Sequence, residues 1–140
     1  MERTFLVLGA LFGLVGVGLG AFGSHALRAK LSPERLAQFE IGVRYQLWHA
    51  LALFAVVFVG SIRFQPRGGS TVFLVAIENG MAWPAALAGC LFVAGTVLFS
   101  GSLYALALSG VRALGAVTPL GGVAFIAGWL ALAAAALRAR

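Results

Sequence analysis

The stretch GALFGLVGVGLGAFG, residues 9–23, decides the fold of this chain. Its glycines at positions 9, 13, 16, 20 and 23 follow one another at spacings of four, three, four and three, so on an α-helix they form one continuous stripe without side chains. In water, glycine inside a helix costs about 1 kcal/mol relative to alanine. In a bilayer, helices associate by close contact along faces of small residues. The stretch therefore predicts a membrane-spanning helix in which Gly9, Gly13, Gly16, Gly20 and Gly23 pack against other helices.

The composition of the whole chain agrees with a membrane protein. Of 140 residues, 61% are hydrophobic and 10% are charged, and the mean hydropathy is +1.01. These values are too apolar for a soluble domain. We predict an all-α integral membrane protein, a single transmembrane domain of four helices, because four apolar segments have the length of about 20 residues that crosses a bilayer. The predicted spans are residues 4–23, 45–62, 83–108 and 119–137.

Two other interpretations of these features are rejected. A cleaved signal peptide would have an apolar core of about 7 to 15 residues, and the first span is longer than that. The net charge of +6 could suggest nucleic acid, but the ten basic residues are scattered singly at span ends and in loops. They fit membrane anchors, so we expect membrane lipid and no nucleic acid among the partners.

The connections between the spans differ in character. Ser32 followed by Pro33 is a good helix start, which predicts a short interfacial helix between spans one and two. The second connection contains an apolar run from Thr71 to Ile77, followed by Glu78 and Asn79. This run is too short to cross a bilayer, so we expect it at the interface or folded against the bundle.

The membrane-embedded polar residues gather in one leaflet. If four spans alternate in direction, the end of span one, the start of span two, the end of span three and the start of span four share a leaflet. We expect one network there that joins His25, Tyr45, His49, Ser102 and Tyr104, as a binding site or as bonds between helices. The full cluster is Ser24, His25, Tyr45, Gln46, His49, Ser100, Ser102, Tyr104 and Thr118.

The sequence contains few residues that could support catalysis or hold a cofactor. The two histidines, His25 and His49, stand at either end of the first connection and could hold haem or a metal. No thiolate, methionine or carboxylate stands near either one, so we predict no cofactor. The chain has no aspartate, and its four glutamates lie outside the predicted spans, so we predict no enzyme. Trp129 lies midway along span four. We expect its ring to pack beside small residues such as Gly95 or the glycines of span one, with its N–H bonded to a backbone carbonyl or a hydroxyl.

Four ordered motifs carry a resemblance to a known family. They are LGAFGSH at residues 19–25, YQ with HAL at 45–51, GTVLFSGSLY at 95–104, and TPLGG through Phe125 to Gly128 and Trp129 at 118–129. Together they resemble the small bacterial membrane proteins exemplified by YgdD and YwdK, the domain of unknown function 423, which has a relative in mitochondria called transmembrane protein 256. The resemblance implies a four-helix protein of the bacterial inner membrane and no known activity. Ser24 and residues 64–81 depart from the family pattern.

The expected function follows from these points. We expect a non-catalytic membrane protein that works as a homo-oligomer or as an accessory component of a larger complex. A small-solute or ion permease is the alternative, although a pathway needs polarity in both leaflets. Basic residues divide equally between the two sides. Because those of the second connection and the C-terminus lie close to span ends, we place both termini in the cytoplasm.

Overall fold

The computed structural model describes residues 1–66, 73–77 and 81–138. Four helical segments are long and apolar enough to span a membrane, at Glu2–Leu27, Pro33–Ser61, Trp83–Ser109 and Arg112–Arg138, so the predicted four-helix bundle is confirmed. The α-helices are α1 (Glu2–Phe22), α2 (Pro33–Ser61), α3 (Trp83–Gly95), α4 (Gly101–Ser109) and α5 (Thr118–Arg138). A π-helical turn, Gly23–Leu27, extends α1, and a second, Thr96–Ser100, joins α3 to α4. A 3-10 turn, Arg112–Ala116, precedes α5.

The second span differs from the prediction. Ser32 does begin a helix, since its hydroxyl accepts a hydrogen bond from the backbone N–H of Arg35 at 3.4 Å and Pro33 occupies the first turn. However, α2 then continues unbroken for 29 residues to Ser61. The prediction of a separate interfacial helix is therefore wrong, because nothing between Pro33 and Ser61 interrupts the backbone hydrogen bonds. As a result, Tyr45 lies twelve residues from the start of α2, and His49 lies twelve from its end.

The second connection forms a hairpin that the sequence reasoning did not predict. Strand β1 (Ile62–Pro66) continues directly from α2 and pairs in antiparallel fashion with β2 (Phe73–Ile77). Ile62 stands opposite Ile77, and Pro66 opposite Phe73. The apolar run was expected at the interface or folded against the bundle, and no strand was predicted there. Its flanks Thr71, Glu78 and Asn79 lie outside the described residues.

Helices α1 and α2 pack along the glycine stripe. A Cβ atom built at Gly9 would lie 3.0 Å from the carbonyl oxygen of Ala50, and one at Gly16 would lie 2.8 Å from Cδ2 of Leu47. Gly20 faces Val43. A Cβ atom built at Gly23 would lie 3.1 Å from the ring of Phe39. A Cβ atom built at Gly13 would have no neighbour within 4 Å. The stripe is therefore the contact face with α2, except at Gly13, where the expected contact is missing.

Helices α3 and α5 interlock through glycine and phenylalanine. The ring of Phe125 on α5 fills the space beside Gly95, and the ring of Phe92 on α3 fills the space beside Gly128. Gly121 touches the backbone of Phe99 within the second π-helical turn. The main core lies between α1, α2, α3 and α5. It includes the fully buried side chains of Leu53, Val56 and Phe92.

Candidate functional site

His49 on α2 contacts two other helices, α5 through Phe125 and Trp129 and α3 through the ring of Phe92 at a centroid distance of 5.4 Å. Its Nδ1 lies 2.8 Å from the carbonyl oxygen of Tyr45 on the same helix, and its Nε2 lies 3.3 Å from Nε1 of Trp129 on α5. Its ring stacks on Phe125 with centroids 3.4 Å apart and planes 8° from parallel. The side chain is almost fully buried, at 4% exposed.

The partners of His49 select one protonation state. A carbonyl oxygen only accepts, so Nδ1 carries a hydrogen and donates it to Tyr45. The indole N–H of Trp129 only donates, so Nε2 offers its lone pair. The neutral Nδ1–H tautomer is the form that satisfies both bonds. The lone pair that would bind a metal is thereby already used.

Gln46 connects three helices from one side chain. Its Nε2 donates to the backbone carbonyl of Phe12 on α1 at 2.8 Å, and its Oε1 accepts from the hydroxyl of Tyr104 on α4 at 2.9 Å. The absent side chain of Gly16, which would lie 3.4 Å from Nε2, leaves room for this amide. Both ends of a buried amide are thus satisfied across helix boundaries.

A second group of polar contacts lies where the third span ends. The hydroxyls of Ser102 and Thr118 are 2.8 Å apart, which ties α4 to the start of α5. From the first turn of α2, Arg35 donates through Nε to the carbonyl of Ala107 at 2.6 Å. A cation at this position also suits the negative end of the α4 dipole. The hydroxyl of Ser100 is buried without a partner among the described residues.

The predicted single network is not formed among the described residues, where the polar bonds fall into separate groups. His49 bonds to Tyr45 and Trp129, Tyr104 bonds to Gln46, and Ser102 bonds to Thr118. Ser24 and His25 are exposed in the π-helical turn after α1, and the Ser24 hydroxyl bonds only to the carbonyl of Ala21. Phe12, the partner of Gln46, precedes His25 by 13 residues, which is about 20 Å along a helix axis. His49 lies one turn beyond Gln46, so the structure separates the histidines. The expectation that His25 shares one network with His49 is not met, because α2 runs unbroken from Pro33 and places His49 near its middle.

Trp129 partly matches its prediction. Its N–H finds a partner, but this is His49 rather than a backbone carbonyl or hydroxyl. The ring packs edge-on against Phe92 at 5.1 Å, while Phe125 occupies the space beside Gly95 that was expected for Trp129. About half of the Trp129 side chain, 49%, is exposed on the outer surface of the bundle.

An open pocket of about 610 Å³ lies between α2 and α5, and we call it the aromatic pocket. Its rim includes the exposed side chains of Trp48, Leu51 and Ile126. The mouth of the pocket therefore opens on the outer surface of the bundle, which would face the lipid. Tyr45 and His49, near the middle of α2, lie in its wall. The residues that line it are Tyr45, Trp48, His49, Leu51, Phe99, Gly122, Phe125, Ile126 and Trp129.

Sequence reasoning found some of this site and missed the rest. It named Tyr45, Gln46, His49 and Trp129, but not that His49 and Trp129 bond to each other. The missed signal is the face that Gly122, Phe125 and Trp129 share at helical spacing on α5, opposite Tyr45 and His49. Arg35 was counted as a surface charge, because no local pattern reveals a bond to a residue 72 positions away.

No metal centre is evident in the described part of the chain. None of its histidine, cysteine, aspartate and glutamate residues form a group of three or more that could hold an ion. Cys90 is a free, exposed thiol on α3. The Nε2 lone pair of His49 is engaged by Trp129 and is therefore not free to bind a metal.

Comparison with known proteins identifies the family. Residues 19–122 match the family described as protein of unknown function, DUF423. The chain belongs to DUF423. It is 42% identical over 136 residues to the UPF0382 membrane protein YwdK of Bacillus subtilis, covering 97% of this chain and 98% of YwdK.

Other relatives agree with this assignment. The chain is 44% identical to the UPF0382 membrane protein SH2409 of Staphylococcus haemolyticus, covering 93% of this chain and 92% of the relative. It is 37% identical to the UPF0382 inner membrane protein YgdD of Escherichia coli, covering 98% of this chain and 92% of YgdD. The resemblance to DUF423 is confirmed, as is membership of a membrane protein family. These DUF423 relatives are named only by their membrane location, and nothing in the names points to catalysis. No solved structure matches the chain.

Proposed function

We propose that this protein is a non-catalytic accessory component of the bacterial cytoplasmic membrane that works as a homo-oligomer or within a larger membrane complex. Both termini lie on the cytoplasmic side. The observation that carries the proposal is the low burial of the first span within the protomer. Only 17% of its most apolar stretch is buried within the protomer, against 44% for the second span.

The outer face of α1 is suited to close contact with another helix. Ala10, Gly18 and Ala21 are exposed on the side opposite the glycine stripe, together with Leu14, which is 71% exposed. A Cβ atom at Gly18 would meet nothing within 4 Å. Small residues on a membrane helix allow backbones to approach closely, which favours helix association. We therefore assign the assembly contact to this face.

The polar side chains of the spans support a structural role. Gln46 bonds at both ends to other helices, and His49 bonds at both ring nitrogens. Groups held in this way are unavailable for proton transfer or for hydrating a solute. A permease remains the alternative function, and it predicts solute flux. Reconstituted into liposomes, the protein is expected to leave shrinkage rates in glycerol or potassium chloride equal to those of empty liposomes.

Cysteine crosslinking tests the assembly contact. In a Cys90→Ala background, Leu14→Cys places a thiol on the outer face of α1, and Val123→Cys places a matched, equally exposed thiol on α5. Mild oxidation of membranes should give crosslinked dimers with Leu14→Cys and few with Val123→Cys. Native mass spectrometry of the parent protein should report a multimer or a complex.

Two results would count against the proposal. A strictly monomeric mass in several mild detergents, with no crosslinking at either position, would remove the basis for an oligomer or complex. Crosslinking at Val123→Cys alone would move the contact from α1 to α5. The orientation is tested separately, because a green fluorescent protein fused after the last residue should fluoresce and an alkaline phosphatase fusion should be inactive.

A further inference from the structure

The aromatic pocket opens sideways between α2 and α5, two helices long and apolar enough to span a membrane. Tyr45 and His49 flank the middle of α2, with twelve residues of helix beyond each. The pocket mouth is bounded by exposed apolar side chains, including Leu51 at 68% and Ile126 at 65% exposed. A ligand therefore enters sideways from the hydrocarbon region and can leave an apolar tail there. The volume of about 610 Å³ is that of a small-molecule site.

The lining specifies the chemistry of the ligand further. None of the nine lining residues carries a charge, since both ring nitrogens of His49 are used in the neutral form. A phosphate or carboxylate head group would find no cation there. The walls are mainly rings, with Tyr45, Phe99 and Phe125 packed against one another at centroid distances of 4.5 to 6.2 Å. Flat aromatic walls favour a planar, conjugated ring that can stack.

Two lining residues of the pocket carry a hydrogen-bond donor that is unused among the described residues, the hydroxyl of Tyr45 and the indole N–H of Trp48. The hydroxyl of Tyr45 makes no hydrogen bond to any described residue, whereas the phenol of Tyr104 is bonded to Gln46. A phenol inside the hydrocarbon region gains from an acceptor, because no water competes there. The ligand should therefore present a neutral acceptor oxygen on its ring.

We propose that the aromatic pocket binds the ring of a lipid-soluble para-quinone, with a ring carbonyl accepting a hydrogen bond from the Tyr45 hydroxyl and the tail lying in the bilayer. The proposal concerns binding alone and goes beyond the accessory role. It is also independent of the assembly contact. On α2, Leu47 faces α1, whereas Tyr45 and Trp48 line the pocket on another side of the helix.

Tryptophan fluorescence can measure this binding directly. Trp48 and Trp129 line the pocket, and the third tryptophan, Trp83, lies at the start of α3. The parent for the experiment is the full chain with Trp83→Phe, in phosphatidylcholine nanodiscs, so that both remaining indoles report on the pocket. It is titrated in separate arms with a short-tailed para-benzoquinone and a short-tailed para-naphthoquinone. Saturable quenching by at least one of them is expected.

Three variants locate the site. Tyr45→Phe removes only the unused hydroxyl and should raise the Kd about fivefold. Gly122→Phe fills the pocket beside Phe99 and should abolish the saturable quenching, whereas Gly101→Phe, at a position with open space around it, should bind like the parent. A cyclohexanol that carries the same tail should not displace the quinone.

The outcomes that would overturn the proposal are distinct. Quenching that rises linearly, and equally in the parent and in Gly122→Phe, would mean that the quinone only partitions into the bilayer. An unchanged Kd in Tyr45→Phe would contradict the hydrogen bond to the ring carbonyl. Displacement by the cyclohexanol would contradict recognition of a planar ring. Because Tyr45→Phe removes no hydrogen bond within the described residues, it tests the proposal even if Gly122→Phe fails to fold.

Discussion

Two helix pairs in this bundle use glycine in different ways. In the α1–α2 pair, one helix supplies the glycines and the other covers them, with a side chain at Gly16 under Leu47 and with the backbone carbonyl of Ala50 at Gly9. In the α3–α5 pair, each helix supplies both, because Gly95 receives Phe125 while Gly128 receives Phe92. The first pair is one-sided, and the second is reciprocal.

Glycine contacts also differ in whether the atoms opposite the glycine can move. The contact at Gly16 involves the end of a leucine side chain, which can turn to another rotamer. The contact at Gly121 involves the backbone of Phe99, which is held by the surrounding helix. A stripe of glycines in a sequence therefore does not by itself show how strictly each one is required. The nature of the opposing atom decides that.

The largest effect should come from Gly121→Ala. A single methyl group there would collide with backbone atoms of Phe99, so the two helices must separate. We expect a loss of about 3 kcal/mol or more in the free energy of unfolding. Thermal unfolding in detergent, followed by size-exclusion chromatography, measures it.

The neighbouring glycine provides the control for this first prediction. Gly122→Ala would place its methyl group 3.9 Å from the Phe99 ring, which is ordinary contact, so its stability should stay within about 0.5 kcal/mol of the parent. Equal stabilities of Gly121→Ala and Gly122→Ala would contradict a backbone contact at Gly121.

A smaller effect is expected along the α1–α2 stripe. Gly16→Ala should cost about 1 kcal/mol, since Leu47 can adjust to a methyl group placed 2.8 Å from its Cδ2 atom. Gly13→Ala, at an open position in the same stripe, should be neutral or slightly stabilising because alanine favours the helix. If Gly13→Ala proved as harmful as Gly16→Ala, the stripe would be a uniform interface after all.

Gln46 joins the α1–α2 pair to α4, so its removal should loosen α4 relative to that pair. Gln46→Leu keeps the shape and loses the bonds to Phe12 and Tyr104, at an expected cost of about 1 kcal/mol, given an average near 0.6 kcal/mol for such bonds in a membrane. A double-mutant cycle with Tyr104→Phe isolates the bond between the two side chains. A coupling energy of zero would show that this bond does not hold α4 against the α1–α2 pair.

The smallest effect should come from Trp129→Phe, which keeps a ring but loses the N–H that reaches His49. We expect about 0.6 kcal/mol. Trp48→Phe serves as the control, because Trp48 is similarly exposed and makes no hydrogen bond among the described residues. A cost at Trp48→Phe equal to that at Trp129→Phe would indicate lost ring area rather than a lost bond.

Much of the architecture could be predicted from the sequence, because bilayer thickness and hydropathy determine where spans begin and end. The same holds for the start of α2, where Ser32 and Pro33 carry a local signal. The continuation of α2 through residues 33–44 was missed because the helix start at Ser32 and Pro33 was assigned to a separate interfacial helix. That error placed His49 near the start of a span instead of near the middle of a 29-residue helix.

The contacts within the site were beyond sequence reasoning for a different reason. The bond from Trp129 to His49 joins residues 80 positions apart, and the one from Tyr104 to Gln46 joins residues 58 apart. Such pairs depend on how the helices rotate about their axes. The two π-helical turns change that rotation locally, and neither was predicted from the local sequence.

The two bonds of Gln46 also bear on how the chain is made. A glutamine near the middle of a span opposes transfer of that span into hydrocarbon. Its donor group is satisfied by Phe12, which belongs to the span synthesised just before it, so spans one and two can leave the translocation channel together as a helical hairpin. Its acceptor group must wait for Tyr104, which is synthesised 58 residues later. Biosynthesis therefore passes through an intermediate with half of this amide unsatisfied, and the arrival of the third span completes it.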